Sequence, residues 1–254
     1  VADVADATGT SVYVYGFTLA DCAGPLGVTG VDEGSVELLV EGDAAAVVTR
    51  IEAAEIRPKR ANLLAHNRVL LHGVEGPPLL PATFGTVAES EERLREVLRR
   101  NRDSLVERLR QLRGRVEMGL AVRWVTPSIF EYFLATHQEL RELRDRLYRP
   151  GRTPTLDEQI ELGRLFDSLL QQGRQRNSHK VLEAVRPYCV ETREIDPADE
   201  QVVVKLACLV DAGHQQDWER SVERLAGQYN ENYCFQLVGP SAPYHFADVD
   251  LELY

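Results

Sequence analysis

A chain of 254 residues exceeds what one hydrophobic core usually organises, so two domains are expected. With 44% hydrophobic and 27% charged residues it has the apolar content for real cores, which excludes wholesale disorder. Its 29 Lys+Arg against 40 Asp+Glu leave a net charge of −11, which disfavours general affinity for nucleic acid or an anionic membrane, both polyanions themselves.

Residues 1–10 read as a loose leader, and the β-branched and aromatic run Ser11-Val12-Tyr13-Val14-Tyr15-Gly16-Phe17 as the first strand. The runs 36–40 and 46–51 flank Glu41-Gly42-Asp43 and predict an antiparallel hairpin. From Pro58 to His72, Ala61, Leu64, Ala65, Val69 and Leu71 recur at helical intervals, with an end expected near Gly73. Residues 79–85 read as a strand in which Pro81 requires an edge or a bulge. Ser90 then caps a helix carrying the stripe Leu94, Val97, Leu98, Leu105, Leu109 and Leu112 as far as Gly114. Residues 116–124 read as the closing strand of this first domain.

Pro127-Ser128 opens a helix striped by Phe130, Phe133, Leu140, Leu143 and Leu147, broken at 149–154 and followed by a second long helix to Val185, so that the two make a helical hairpin. Strands are expected at 188–190, 202–210 and 233–238, with a helix over 217–229 between the last two. This second series lacks an opening strand. The alternating residues 249–253 suit a sheet edge. The expectation is an α+β protein of two domains, a ferredoxin-like one at 1–125 and a modified ferredoxin-like one with a long helical hairpin at 126–254.

Catalytic and ligand signatures are absent from the sequence. Residues 24–30 are glycine-rich without phosphate-loop spacing, no serine sits in GxSxG, and the six histidines and four cysteines form no HxxxH, HExxH or CxxC pair. Cys208 with His214 is the nearest approach to a metal pair. The expectations are no enzyme, no cofactor, no metal, and reduced thiols at Cys22, Cys189, Cys208 and Cys234. No apolar run reaches the roughly 20 residues of a membrane span, and Val1-Ala2-Asp3 does not open a signal peptide, so a cytoplasmic protein is expected. The nine arginines of residues 93–115 are interleaved with Glu96, Asp103 and Glu107. They read as an ion-paired solvated face, with an acidic protein partner as the alternative.

Two clusters stand out. Pro77 to Thr86 sets three prolines beside Phe84-Gly85, and Gly239 to Phe246 sets Pro240 and Pro243 ahead of Tyr244 and Phe246. Rigid turns that present aromatics suit partner contact because little side-chain entropy is lost on docking; equally, such aromatics plug a core. Phe84, Gly85, Pro240, Pro243, Tyr244 and Phe246 are the candidate partner-binding residues.

In this order Tyr13-Val14-Tyr15-Gly16, His66-Asn67 with Val69-Leu70, Leu80-Pro81-Ala82-Thr83-Phe84-Gly85-Thr86-Val87, Glu117-Met118-Gly119-Leu120 and Gly239-Pro240-Ser241-Ala242-Pro243-Tyr244-His245-Phe246 resemble the gas vesicle protein F/L family. Ser241-Ala242 stand where the family usually carries Trp-Pro. The resemblance implies two ferredoxin-like or modified ferredoxin-like domains. It also implies a non-enzymatic accessory or minor structural protein, gas vesicle associated, that contacts the small hydrophobic shell subunit and other accessory proteins, with no nucleic acid or lipid membrane as partner. A ferredoxin-like module that binds a small regulatory molecule is the alternative, since such domains host unrelated functions.

Overall fold

The computed structural model describes residues 11–22, 27–72, 77–197 and 199–247. The leader, the start of the glycine-rich loop, Gly73 and the final alternating segment lie outside the described residues. The chain forms two compact units: the described residues up to Glu117 together with those from Gly239 onward, and Met118–Val238.

The first unit is built on β1 (Ser11–Leu19), buried along nearly its whole length. The hairpin β2 (Glu37–Glu41) and β3 (Ala44–Ile51) turns through Gly42-Asp43, where Gly42 takes the left-handed conformation (φ 61°) that glycine adopts without a Cβ penalty. β3 pairs antiparallel with β1, and a register shift between Val14 and Gly16 bulges the strand at Tyr15. Alternation along β1 sends Tyr13 and Tyr15 to the side of helix α1 (Arg60–His72). The expected apolar face of α1 is turned: Ala61, Leu64 and Leu71 are exposed, while Asn62, Ala65, His66, Val69 and Leu70 are buried. Two polar side chains point inward because β1 and the neighbouring turns supply their hydrogen-bond partners.

The expected strand at 79–85 shrinks to β4 (Leu80–Pro81), and a second short strand, β5 (Val87–Ala88), follows a turn; both pair with β1 on the side away from β3, so Pro81 does sit at an edge. The predicted helix from Ser90 is two helices, α2 (Glu91–Arg100) and α3 (Arg102–Leu112). Ser90 caps the first by accepting from Arg93 N–H. Asn101 breaks the pair: its buried side chain donates to the Val97 carbonyl at 2.8 Å, competing with the helix's own bonds. The arginines pair across elements as well as within the helices, since Arg99 reaches Glu41, Arg102 reaches Asp43, Arg95 donates to the Val40 carbonyl and Arg50 joins Glu37 to Glu91. They tie α2 and α3 to the hairpin. Each exposed pair contributes only about 0–1 kcal/mol, so the set orients more than it stabilises.

β6 (Arg115–Trp124) was expected to close the first sheet and instead belongs to the second. Its role is the opening strand that the second series lacked. The helical arm follows as α4 (Ile129–Thr136), α5 (Gln138–Leu147) and α6 (Leu156–Val185), a 30-residue helix with a Thr155/Glu158 capping box. Then come β7 (Glu191–Glu194), displaced from the expected 188–190 by a 3-10 turn at Arg186–Tyr188, β8 (Val202–Asp211), α7 (Gln215–Ala226) and β9 (Tyr233–Ser241). The strand order is β7-β8-β6-β9. Trp124 packs edge-on against Phe133 with ring centres 5.6 Å apart, and Gly173 of α6 lies beneath both. The α+β class, two antiparallel sheets and the long helix are as expected, whereas the two compact units are not the sequential halves 1–125 and 126–254.

Gly16 is a testable constraint. A Cβ there would lie 2.3 Å from the Leu80 carbonyl oxygen, so Gly16→Ala is expected to cost about 1–3 kcal/mol in urea unfolding by forcing β4 off β1. A Cβ added at Gly163 in α6 would meet no atom within 4 Å, so Gly163→Ala is expected to stabilise by about 0.5–1 kcal/mol in the same measurement.

Candidate functional site

The first unit brings its sequence clusters to one place, centred on the Tyr13 hydroxyl. Tyr13 comes from β1 and His66 from the buried face of α1; the hydroxyl lies 2.8 Å from His66 Nδ1 and accepts from Gly85 N–H at 3.3 Å. His66 also hydrogen-bonds the Ala82 backbone, while Ala82 N–H donates to the Tyr15 carbonyl at 2.8 Å. Phe84 closes the cluster, its ring centre 6.0 Å from Tyr13 and 5.6 Å from His66. The turn 82–87 is therefore held from beneath by one phenol and one imidazole. Gly85 supplies its positive φ of 91°.

Tyr15 forms a second branch. Thr49 Oγ1 donates to the Ser35 carbonyl, so the Tyr15 O–H donates to Thr49 at 2.9 Å and accepts from Val31 N–H at 2.8 Å. Beside it Asn62 and Asp32 exchange bonds of 3.0 Å, Asn62 Nδ2 donating to the carboxylate and Asp32 N–H to Asn62 Oδ1, which holds Asp32 and Glu33 at positive φ. Burial pushes the Tyr13 phenol up to about 12, and the Tyr15 phenol upward in the same way. Burial also lowers the His66 pKa, which keeps the ring neutral.

The end of β9 and the residues after it arrive on the same cluster. Gly239-Pro240 is a cis peptide, and Ala242 and Pro243 are buried. Buried Glu117 accepts from His245 N–H at 2.8 Å and faces His245 Nδ1 at 2.6 Å, while Arg108 Nε donates to the Phe246 carbonyl at 2.9 Å. Phe246 is fully buried, so of the candidate partner-binding residues it is a core plug. Tyr244 is 42% exposed and close enough to Tyr13 to add to the rise of that phenol's pKa; burial, then nearby Glu117, raise its own. Phe84 is half-buried, Gly85 exposed and Pro240 half-buried. The same turn also forms a wall of an apolar cleft of about 530 Å³, floored by Val14, Phe17, Leu94, Val97 and Leu105.

Sequence reasoning did not identify Glu117, Asn62 or the Tyr13 hydroxyl as the anchors of this site; their signal was a polar residue inside an otherwise apolar stretch. Elsewhere, Cys208 is buried beside Cys189, whose thiol is pushed up by its hydrogen bond with Cys208 and by burial, and His214 is exposed near Asp211. Among the described residues no three His, Cys, Asp or Glu side chains gather as a group able to hold a metal, and no helix is long and apolar enough to cross a membrane.

Residues 11–248 match the family model described as gas vesicle synthesis protein GvpL/GvpF. The chain belongs to the GvpL/GvpF family. It is 28% identical over 244 residues to gas vesicle protein F of Streptomyces sp. (strain CB03234), covering 94% of this chain and 100% of that protein. Against gas vesicle protein F of Dolichospermum flosaquae the identity is 23%, over 94% and 98% of the two chains. The fold is that of the crystal structures of GvpF from Anabaena sp. PCC7120, with a TM-score of 0.84 at 23% identity over 95% of this chain and 100% of that one, and from Microcystis aeruginosa, with 0.80 at 20% identity over 94% and 100%. In this GvpL/GvpF chain every cluster that carried the resemblance supplies an atom to the Tyr13 network or to the segment docked beside it.

Two outcomes test the site. Tyr13→Phe leaves His66 and Gly85 N–H without their partner and is expected to cost about 1–3 kcal/mol in urea unfolding. Because the folded His66 ring binds a proton less well than the unfolded one, the unfolded chain takes up more protons below the ordinary value of 6.5. The stability His66 contributes is full above that pH and is lost as pH falls below it. Thermal melts from pH 7.5 to 5 should show that decline in the wild type and a shallower one in His66→Gln.

Proposed function

We propose that this protein is a non-enzymatic accessory or minor structural protein of the gas vesicle, working in the cytoplasm, that binds the shell subunit and supports its assembly into the vesicle. Other gas vesicle accessory proteins are its further partners. The observation that carries this reading is Phe84 on a turn held by the Tyr13–His66 pair, with Tyr244 half-exposed near Tyr13 and Ala82, Thr83 and Thr86 of the same turn lining the apolar cleft. In this mechanism Phe84 and Tyr244 meet the client, Gly85, Pro240 and Pro243 shape the backbone that presents them, and Phe246 anchors the second segment from inside.

The physical need is plain. An apolar subunit must be covered before it is incorporated, and a carrier of net charge −11 stays soluble while covering it. Preorganised turns bind with little ordering cost, which suits repeated capture and release. Arg95, Arg99 and Arg102 are engaged with the hairpin acids, and Arg93 and Arg100 with Glu96 on their own helix, which weakens the case for α2 and α3 as an acidic partner's landing site.

Co-expression of the tagged protein with the gas vesicle shell subunit tests the proposal. The expected result is specific retention and a raised yield of soluble subunit, reduced at least about tenfold by Phe84→Ala with Tyr244→Ala in a protein of unchanged circular dichroism. Undiminished retention by the double variant would move the contact elsewhere on the molecule, and no retention by the wild type at any salt concentration would reject shell-subunit binding.

A further inference from the structure

Sheet edges carry unpaired main-chain N–H and C=O groups, and proteins guard them with charge, proline, brevity or cover. Three of the four edges among the described residues are guarded in these ways. β2 has Glu37 and Glu41 at its ends and gives its Val40 carbonyl to Arg95 at 2.7 Å. β4 and β5 are two residues each, one of them Pro81. β7 is four residues, Glu191-Thr192-Arg193-Glu194. The fourth edge, β9, is nine residues long, and Tyr233-Cys234-Phe235-Gln236-Leu237-Val238 contains neither a charge nor a proline. Leu237 is 41% exposed and Val238 67%.

We propose that the edge of β9 over Tyr233–Val238 is a strand-addition site that receives an extended, uncharged, apolar segment of the client protein. Main-chain hydrogen bonds supply the affinity in this mode of recognition, and apolar side chains alternating along the added strand meet Leu237 on one face and Val238 on the other. An uncharged segment is the complement of this strip, because a charged one finds no counter-charge on β9. A second copy of this chain is the poorer occupant: it brings another net charge of −11, and six residues of edge, about 20 Å long, bury far less than the roughly 1,200 Å² of a stable dimer. A short uncharged segment of a small client meets the strip without that charge repulsion, and a contact of this size suits transient capture rather than a permanent dimer. The inference rests on the client reading above and adds to it the mode of contact and the part of the client that is held.

The test guards the fourth edge as the others are guarded. Full-length wild type, Leu237→Lys, Val238→Lys and the strand-compatible control Val238→Thr are each co-expressed with the gas vesicle shell subunit, with folding checked by circular dichroism and thermal melting. The expected result is retention reduced at least about tenfold in the two lysine variants and unchanged in Val238→Thr, with slowed amide hydrogen exchange over 233–238 in the wild-type complex. Equal retention by the lysine variants, or no slowing at 233–238, overturns the strand-addition site while shell-subunit binding stands. No retention by the wild type overturns both. A wild-type dimer by light scattering that Val238→Lys converts to monomer assigns the edge to a second copy and overturns the proposal.

Discussion

The contact on which the first unit depends is the buried hydrogen bond between the Tyr13 hydroxyl and His66 Nδ1. Neither group tolerates burial alone: an unpartnered polar atom in an apolar interior costs about twice what a satisfied pair contributes. Together they join the central strand to α1, and through Gly85 N–H and the Ala82 backbone they hold a turn that has almost no strand pairing of its own. Tyr15 repeats the device with Thr49 and Val31, fixing the 3-10 turn at Val31–Glu33 against the same helix. The interior of this unit is thus specified by directional polar contacts as well as by apolar filling.

That choice has a functional side. The surface at Phe84 and Tyr244 is mounted on the network, so its shape follows from buried groups that do not themselves reach the surface. The segment 241–246 is secured in the same way, by the Glu117 carboxylate to His245 and by Arg108 to the Phe246 carbonyl. Under the proposed function, a client-binding surface built on loops would thereby be presented without a large ordering cost. The second unit is organised otherwise, around aromatic packing at Trp124 and Phe133 and the apolar strand β8.

Much of the architecture was legible along the chain because it is written in local signals. Gly42 marks the hairpin, Ser90 the start of a helix, the apolar stripe from Leu162 to Val185 the long one, and Val202 to Val210 a buried strand. Where a local signal had two outcomes, the sequence did not decide. The stripe in α1 has apolar residues on more than one face, and which face turns inward depended on partners for Asn62 and His66 that lie 30 and 53 residues away. Asn101 looks like one polar residue in a helix until its side chain is seen to take the Val97 carbonyl.

By itself the sequence determined the α+β class, the order of nearly all the helices and strands, and the membership of the family, because periodicity, caps, turn residues and motif order are properties of neighbouring positions. Only the tertiary structure decided that β6 opens the second sheet, that Phe246 is a plug while Tyr244 faces solvent, and that β9 is an edge. Those are facts about which distant strand supplies the next row of hydrogen bonds, and an extended apolar strand has the same sequence pattern whichever neighbour it finds.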